Sequence, residues 1–230
     1  DFFVSAQMNQ ELLEYLFTMI SENRKELFLE TVEKRTKKIA VVLEDIYQSH
    51  NAAAVLRSCD CFGIQDVHII ENRNQWNPHP DIEQGSSKWL SISRYNEKDQ
   101  NTALCLNSLK EKGYLVAATT PHTDLSIDDI QTDKPIALVF GTEMQGISEV
   151  VKSNADEMVR IPMYGFTESF NISVAAAISL HSLRSKFIRD KRDLSLTEEE
   201  QIEVLLTWCK SSINRSDKIV EDFYQRKGAN

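Results

Sequence analysis

Glycine and proline are scarce in this chain, 7 and 5 of 230 residues. That argues against a low-complexity polymer and against an all-β fold built on many tight turns. Long apolar runs are missing as well: nothing approaches the roughly eighteen residues of a membrane-spanning helix. The opening DFFVSAQMNQ has no basic n-region, so neither a span nor a signal peptide is expected. Paired C-x-x-C spacing is absent among Cys59, Cys61, Cys105 and Cys209. Buried free thiols in a reducing cytoplasm are therefore predicted, with no metal. A zinc or redox site on Cys59 and Cys61 is the competing reading, but it needs further ligands nearby and none is evident. No G-x-G-x-x-G or Walker pattern occurs, which disfavours an ordinary dinucleotide site. Positive charge is also in deficit. The net charge of −9 speaks against casual nucleic-acid binding, although basic residues gather at 24–38 and again at 184–192.

What is present reads as an α/β chain. Hydrophobic residues at 41% and charged residues at 27% suit a globular protein with a sizeable core. Residues 8–35 carry apolar positions at helical spacing (Leu12, Leu16, Ile20, then Leu27, Phe28, Val32), with a break near Ser21 to Asn23. Six short apolar runs follow, at 39–43, 67–70, 90–92, 114–118, 136–140 and 158–161, several rich in β-branched residues. Helical segments lie between them, and 51–62 and 102–112 stop at Gly63 and Gly113 in the manner of C-caps. Strands alternating with helices predict βαβ units, a mostly parallel six-stranded sheet and helices on both faces. Ligands of such sheets bind beyond the carboxyl ends of the strands. From residue 171 the pattern turns helical, and Thr197-x-x-Glu200 reads as a capping box opening a further helix. The expected division is a helical extension at 1–35, a sheet domain at 36–190 and a second helical extension at 191–230.

Three constellations could carry chemistry. In the first, Asn51 stands at a helix start with Arg57 nearly two turns on, separated by the small Ala53 and Ala54. Helical side chains lean toward the N-terminus, so the guanidinium can reach the end where Asn51 sits, an arrangement suited to phosphate or carboxylate. A capped helix with a surface arginine accounts for the same residues. The second is Gly141-Thr142-Glu143-Met144-Gln145-Gly146, directly after a strand. There Gly141 would let the backbone approach a ligand and Glu143 would accept hydrogen bonds from it. The third is 156–180, DEMVRIPMYGFTESFNISVAAAISL. Pro162 ends a strand ladder, Gly165 allows a sharp loop with positive φ, and Ser169, Asn171 and Ser173 crowd a helix start beyond what one cap needs. Ile161 and Met163 could wall an adenine or a thioether.

Taken together, Asn51, Ala54 and Arg57, then Gly141, Glu143 and Gly146, then IPMYGFTESFNISVAAA resemble the three signature motifs of the SpoU/TrmH family of RNA ribose 2′-O-methyltransferases, over roughly residues 36–190. QGSSKWL, with Gly85, Ser86 and Trp89, is similar to the branch acting on guanosine 18 of the tRNA D-loop. The resemblance implies an α/β fold whose C-terminal part threads a deep trefoil knot. It implies S-adenosylmethionine held by Thr119, Gly141, Ile161, Met163 and Phe170, and catalytic work shared by Asn51, Arg57, Glu143, Ser169 and Asn171. It further implies tRNA as substrate and a homodimer in which each partner completes the other's site. Phe170 stands where leucine is usual and Glu168 where glutamine is common. Ribosomal RNA, another tRNA position and a catalytically silent RNA-binding protein remain the alternatives.

Overall fold

The computed structural model describes residues 2–76, 85–97, 99–142 and 144–228. Its residues fall into two compact units: one from Thr36 to Leu194, the other made of the chain before Thr36 and after Leu194.

In the larger unit six parallel strands form one sheet: β1 (Thr36–Glu44), β2 (Ile64–Ile70), β3 (Ser91–Tyr95), β4 (Leu115–Thr119), β5 (Ile136–Phe140) and β6 (Glu157–Val159). Their order is β3-β2-β1-β5-β4-β6. Helices α3 (Ser49–Cys61), α4 (Asn101–Glu111), α5 (Glu149–Asn154) and α6 (Ile172–Arg189) accompany them. Both faces of the sheet are covered, which is why its strands read as apolar runs and not as alternating ones. Ile39, Val41 and Leu43 of β1 pack toward Val55, Cys59, Leu180 and Phe187 on one side. Ala40 and Val42 pack toward Cys105, Leu106, Leu109 and Val151 on the other.

The sequence-read strands all form, with shifted ends: β1 and β2 start three residues earlier than their apolar runs, and β6 stops at Val159 instead of Ile161. Only an isolated bridge from Ser126 to Arg160 carries the pairing further. The helix stops after Glu111 and Cys61 use their glycines as expected. Gly113 has φ +84, its N–H reaches Lys110 O at 2.9 Å, and Tyr114 N–H reaches Leu109 O at 3.0 Å, the paired closure of a Schellman motif. α5 had no counterpart in the sequence reading, since at 6 residues it is too short to display a period.

In the smaller unit α1 (Phe2–Phe17) and α2 (Glu22–Val32) join α7 (Glu198–Ser212) and α8 (Ser216–Arg226). Phe28 meets Trp208 edge-on at 5.4 Å, and Arg35 lies over the Trp208 ring at 5.3 Å. Thr197 and Glu200 form both halves of the capping box at the start of α7. The cysteines are free thiols, and burial pushes Cys105 up to about 12 and Cys209 up to about 11, so both stay protonated and inert.

His68 of β2 is buried, with Nδ1 3.2 Å from the Tyr95 hydroxyl. Burial first, and the Lys112 charge second, push its pKa from 6.5 down to about 4. The folded protein thus keeps this imidazole neutral while the unfolded chain protonates it below about pH 6.5. Stability from this group is complete above that pH and is lost as pH falls toward 4, by about 3 kcal/mol in all. Urea midpoints taken between pH 7 and pH 4.5 are expected to fall more steeply for the wild type than for His68→Gln; equal slopes would refute the assignment.

Candidate functional site

A cavity of about 550 Å³ opens at the carboxyl edge of the sheet. The strand order explains its place. The chain adds β2 and β3 on one side of β1, places β4 on the other, and then inserts β5 between β1 and β4. Loops leaving β4, β5 and β6 diverge there, leaving the crevice in which open α/β sheets bind ligands. Thr119 to His122, Phe140 to Thr142, Met144 to Ile147, Val159 to Ile161 and Met163 line it, together with Glu168 to Asn171 and the first turns of α6. Its floor is apolar, from the buried Ile127, Phe140 and Val159. Its rim is polar.

The loop after β5 is closed on itself. Thr142 N–H donates to Gly146 O and Gly146 N–H to Thr142 O, each at 3.0 Å, and Gly146 holds φ +66. A methyl group on Gly141 would overlap the Gly146 carbonyl and the Ile147 nitrogen. The loop's own backbone therefore demands glycine at 141. Gln145 fastens the loop outward by accepting from Arg73 Nη1 at 3.2 Å. Ser148 fastens it inward: its N–H and hydroxyl donate to the Glu44 carboxylate at 3.1 and 2.8 Å, and Thr102 donates to the same group at 2.7 Å. Glu44 is 2% exposed at the end of β1. It was missed in the sequence, where its only signal is an acid closing the run IAVVLE.

The loop after β6 hangs on the segment before β5. Arg160 N–H donates to Leu125 O and Ile127 N–H to Arg160 O, both at 2.9 Å. Beyond Pro162 the chain exposes Tyr164 and Phe166 fully. Gly165 does not take a positive φ and has open space around it, contrary to the expected left-handed turn. Asn171 then caps α6, its Oδ1 accepting from Ser173 N–H at 2.9 Å and from Ser173 Oγ at 2.6 Å. Because a backbone N–H can only donate, the orientation of the Asn171 amide is settled. Its Nδ2 donates to Asn51 Oδ1 at 3.2 Å, and Asn51 Nδ2 donates to Gln48 Oε1 at 2.9 Å.

The first and third constellations, 120 residues apart, thus meet through one hydrogen bond. Thr119, Gly141, Ile161, Met163, Phe170, Ser169 and Asn171 all line the cavity. Asn51 stands behind Asn171. Arg57 is exposed further along α3 and is not among the lining residues. Glu143 lies outside the described residues. Gly85, with φ +81, precedes a 3-10 turn at Ser86–Trp89 that leads into the amino end of β3 and packs on α3, at the sheet edge opposite the cavity. Gln84 of that segment is outside the described residues. The basic clusters are partly engaged: Arg35 is buried against Trp208, and Lys186 sits 3.6 Å from Asp190. Among the described residues no group of three or more metal-ligating side chains occurs, and no helix is long and apolar enough to cross a membrane.

The chain is similar to known proteins in sequence and in fold. A tRNA (guanosine(18)-2′-O)-methyltransferase of Borreliella burgdorferi is 35% identical over 199 residues, covering 86% of this chain and 89% of that one. The protein of the same description from Aquifex aeolicus is 30% identical over 213 residues, 90% and 97% of the two chains. The crystal structure of the A. aeolicus TrmH/SpoU tRNA modifying enzyme superposes with a TM-score of 0.74 at 29% identity, over 84% of this chain and 98% of that one. AviRb from Streptomyces viridochromogenes, a SpoU methyltransferase solved with AdoMet, shares the fold at a TM-score of 0.60 and 21% identity, over 70% and 65%. The SpoU rRNA Methylase family model spans residues 38–181, from β1 into α6 and across all three constellations. With the sheet, the three cavity loops and the Asn51–Asn171 link inside that span, the chain belongs to the SpoU methylase family.

Proposed function

We propose that this protein transfers a methyl group from S-adenosylmethionine to the ribose 2′-hydroxyl of guanosine 18 in tRNA. The observation that carries the reading is the cavity whose polar mouth is built by Asn171, fastened to Asn51, in a chain 35% identical to a relative described with that activity.

The residues present fit the cofactor. At about 550 Å³ the cavity lies within the roughly 300–1,000 Å³ of small-molecule sites. Its apolar floor suits a purine, and its rim, with Glu168, Ser169 and Asn171, suits a charged methionyl portion and a sulfonium. Bound there, the cofactor supplies an electrophilic methyl group. Ile161, Met163 and Phe170 wall it, and Thr119 and Gly141 hold it from the β4 and β5 sides. Asn51 and Asn171 fix the start of α3 against the start of α6. Arg57, always protonated, clamps a substrate phosphate and stabilises the 2′-oxygen as its proton passes to solvent water at the open mouth. Ser169 and, on the sequence alone, Glu143 orient these groups. What remains is positioning, which brings the hydroxyl to the mouth of the cavity.

The same reading extends to architecture. Late insertion of β5 between β1 and β4, followed by the 160–171 segment closing the cavity, supports a C-terminal part threaded as a deep trefoil knot. Exposed Val174 and Ile188 on α6 support a homodimer built on that helix. The domain at 36–190 carries the chemistry and the helical segments at 1–35 and 191–230 are extensions to it. The free thiols fit a cytoplasmic enzyme.

Incubation with methyl-labelled cofactor and unmodified tRNA transcripts is the test. Label is expected in 2′-O-methylguanosine at position 18 and is expected to vanish when that nucleotide is 2′-deoxy. Label at another tRNA position, or in ribosomal RNA only, would move the substrate assignment; no transfer to any RNA would overturn the enzymatic reading.

A further inference from the structure

Ser179 lies in the second half of the cavity-facing stripe of α6, after Ile172 and Ala175, at spacings of three and four residues that keep all three on one helix face. It is 1% exposed, it lines the cavity, and its Oγ has no hydrogen-bond partner among the described residues. Hydroxyls inside helices of this chain ordinarily bond back one turn: Ser58 Oγ to Ala54 O at 3.0 Å, Thr207 Oγ1 to Glu203 O at 3.0 Å, Ser211 Oγ to Thr207 O at 2.9 Å. Ser179 does not. A buried hydroxyl left unpaired is costly, and a water there would need two to four polar partners that the floor of Ile127, Phe140 and Val159 does not offer.

We propose that the Ser179 hydroxyl hydrogen-bonds the edge of the adenine ring of bound S-adenosylmethionine, and so selects an adenine nucleoside. The assignment rests on the cofactor reading above. Ser179 stands eight residues beyond the Asn171 cap, about 12 Å along the helix axis. The mouth beside Asn171 is where the ribose hydroxyl arrives, so the reacting methyl group belongs there. The portion of the cofactor reaching the deep end is consequently the portion far from the sulfonium. An ammonium or carboxylate in that floor would lack the partners that a buried charge demands. A flat purine buries well there, and its edge carries nitrogens that match a group able both to donate and to accept. Ala175, one turn nearer the mouth, is small enough to leave the way open.

Ser179→Ala separates this from a structural role because the two readings move different quantities. Removing an unpaired buried hydroxyl is expected to leave the melting temperature of the ligand-free protein unchanged or higher. The Kd for S-adenosylhomocysteine, by calorimetry, is expected to rise about tenfold, equivalent to about 1.4 kcal/mol. Adenosine, competing against labelled S-adenosylhomocysteine, is expected to lose the same factor, whereas methionine competition is unchanged. Ser179→Thr, which keeps the hydroxyl, is expected to retain more affinity than Ser179→Val. Wild-type protein that binds no S-adenosylhomocysteine would remove the cofactor reading and this assignment with it. Wild-type binding that Ser179→Ala leaves unchanged, or a loss seen with methionine instead of adenosine, would overturn the assignment alone.

Discussion

Arg57→Ala is expected to slow methyl transfer to tRNA by about 10²–10³-fold, the range set by removing one donor to a developing oxyanion, while leaving the Kd for S-adenosylhomocysteine within about twofold. The split follows from where the residue stands. Arg57 is exposed on α3 and does not line the cavity, so the cofactor loses no contact. The amino end of the same helix is tied by Asn51 to Asn171, which makes α3 a rigid mount for a side chain leaning back toward the mouth. On the proposed reading the ribose hydroxyl becomes more anionic as it reacts, and a guanidinium brought beside it would act only on that charge. Arg57→Lys is expected to recover little, because a point-charge ammonium does not reproduce the two-pronged contact to a phosphate. The check is a pair of measurements, single-turnover transfer and calorimetric binding. Wild-type transfer by Arg57→Ala, or a parallel collapse of cofactor affinity, would remove Arg57 from the role.

Much of this was legible in the residues, for reasons that differ from element to element. Doubly covered parallel strands need apolar side chains on both faces, so Ile39 to Leu43 and Ile136 to Phe140 announced themselves as runs. Gly63 and Gly113 marked helix ends because the left-handed cap they supply, φ +67 and +84, is one that other residues rarely adopt. The order of the strands left no such mark. Placing β5 between β1 and β4 depends on pairing of chain segments far apart in sequence, and period-2 patterns are blind to it. Glu44 was hidden for a related reason: a buried carboxylate is tolerated only with partners, and Thr102 and Ser148 lie 58 and 104 residues away. Ser179 was equally silent, since a lone serine in a helix is read as neutral until its missing back-bond is seen. Charge counting shows where basic residues gather but not which of them are engaged. The basic clusters 24–38 and 184–192 include an arginine buried on Trp208 and a lysine held at Asp190, so neither run is wholly available to a phosphate backbone.

The two glycines of the site make the sharpest contrast between what spacing suggests and what geometry requires. Gly141→Ala is expected to destabilise the protein by about 3 kcal/mol, the upper end of what forced overpacking costs. It is also expected to raise the Kd for S-adenosylhomocysteine on the order of 100-fold, a factor equal to the free-energy cost of moving the loop. The added methyl group would meet backbone, the Gly146 carbonyl and the Ile147 nitrogen, and no side-chain rotation can relieve that. Relief requires opening the Thr142–Gly146 hydrogen-bond pair, and the residues released with it, Thr142 and Gln145, line the cavity. Gly165→Ala tests the opposite case. Its φ is not left-handed and nothing lies within 4 Å of the added carbon. Melting and cofactor affinity are therefore expected to stay level, or stability to rise by about 0.4–1 kcal/mol through a less flexible unfolded chain. Thermal melts and calorimetry on both variants decide the matter. Equal effects at the two positions would mean that the closed Gly141–Gly146 turn is not what shapes the cofactor cavity.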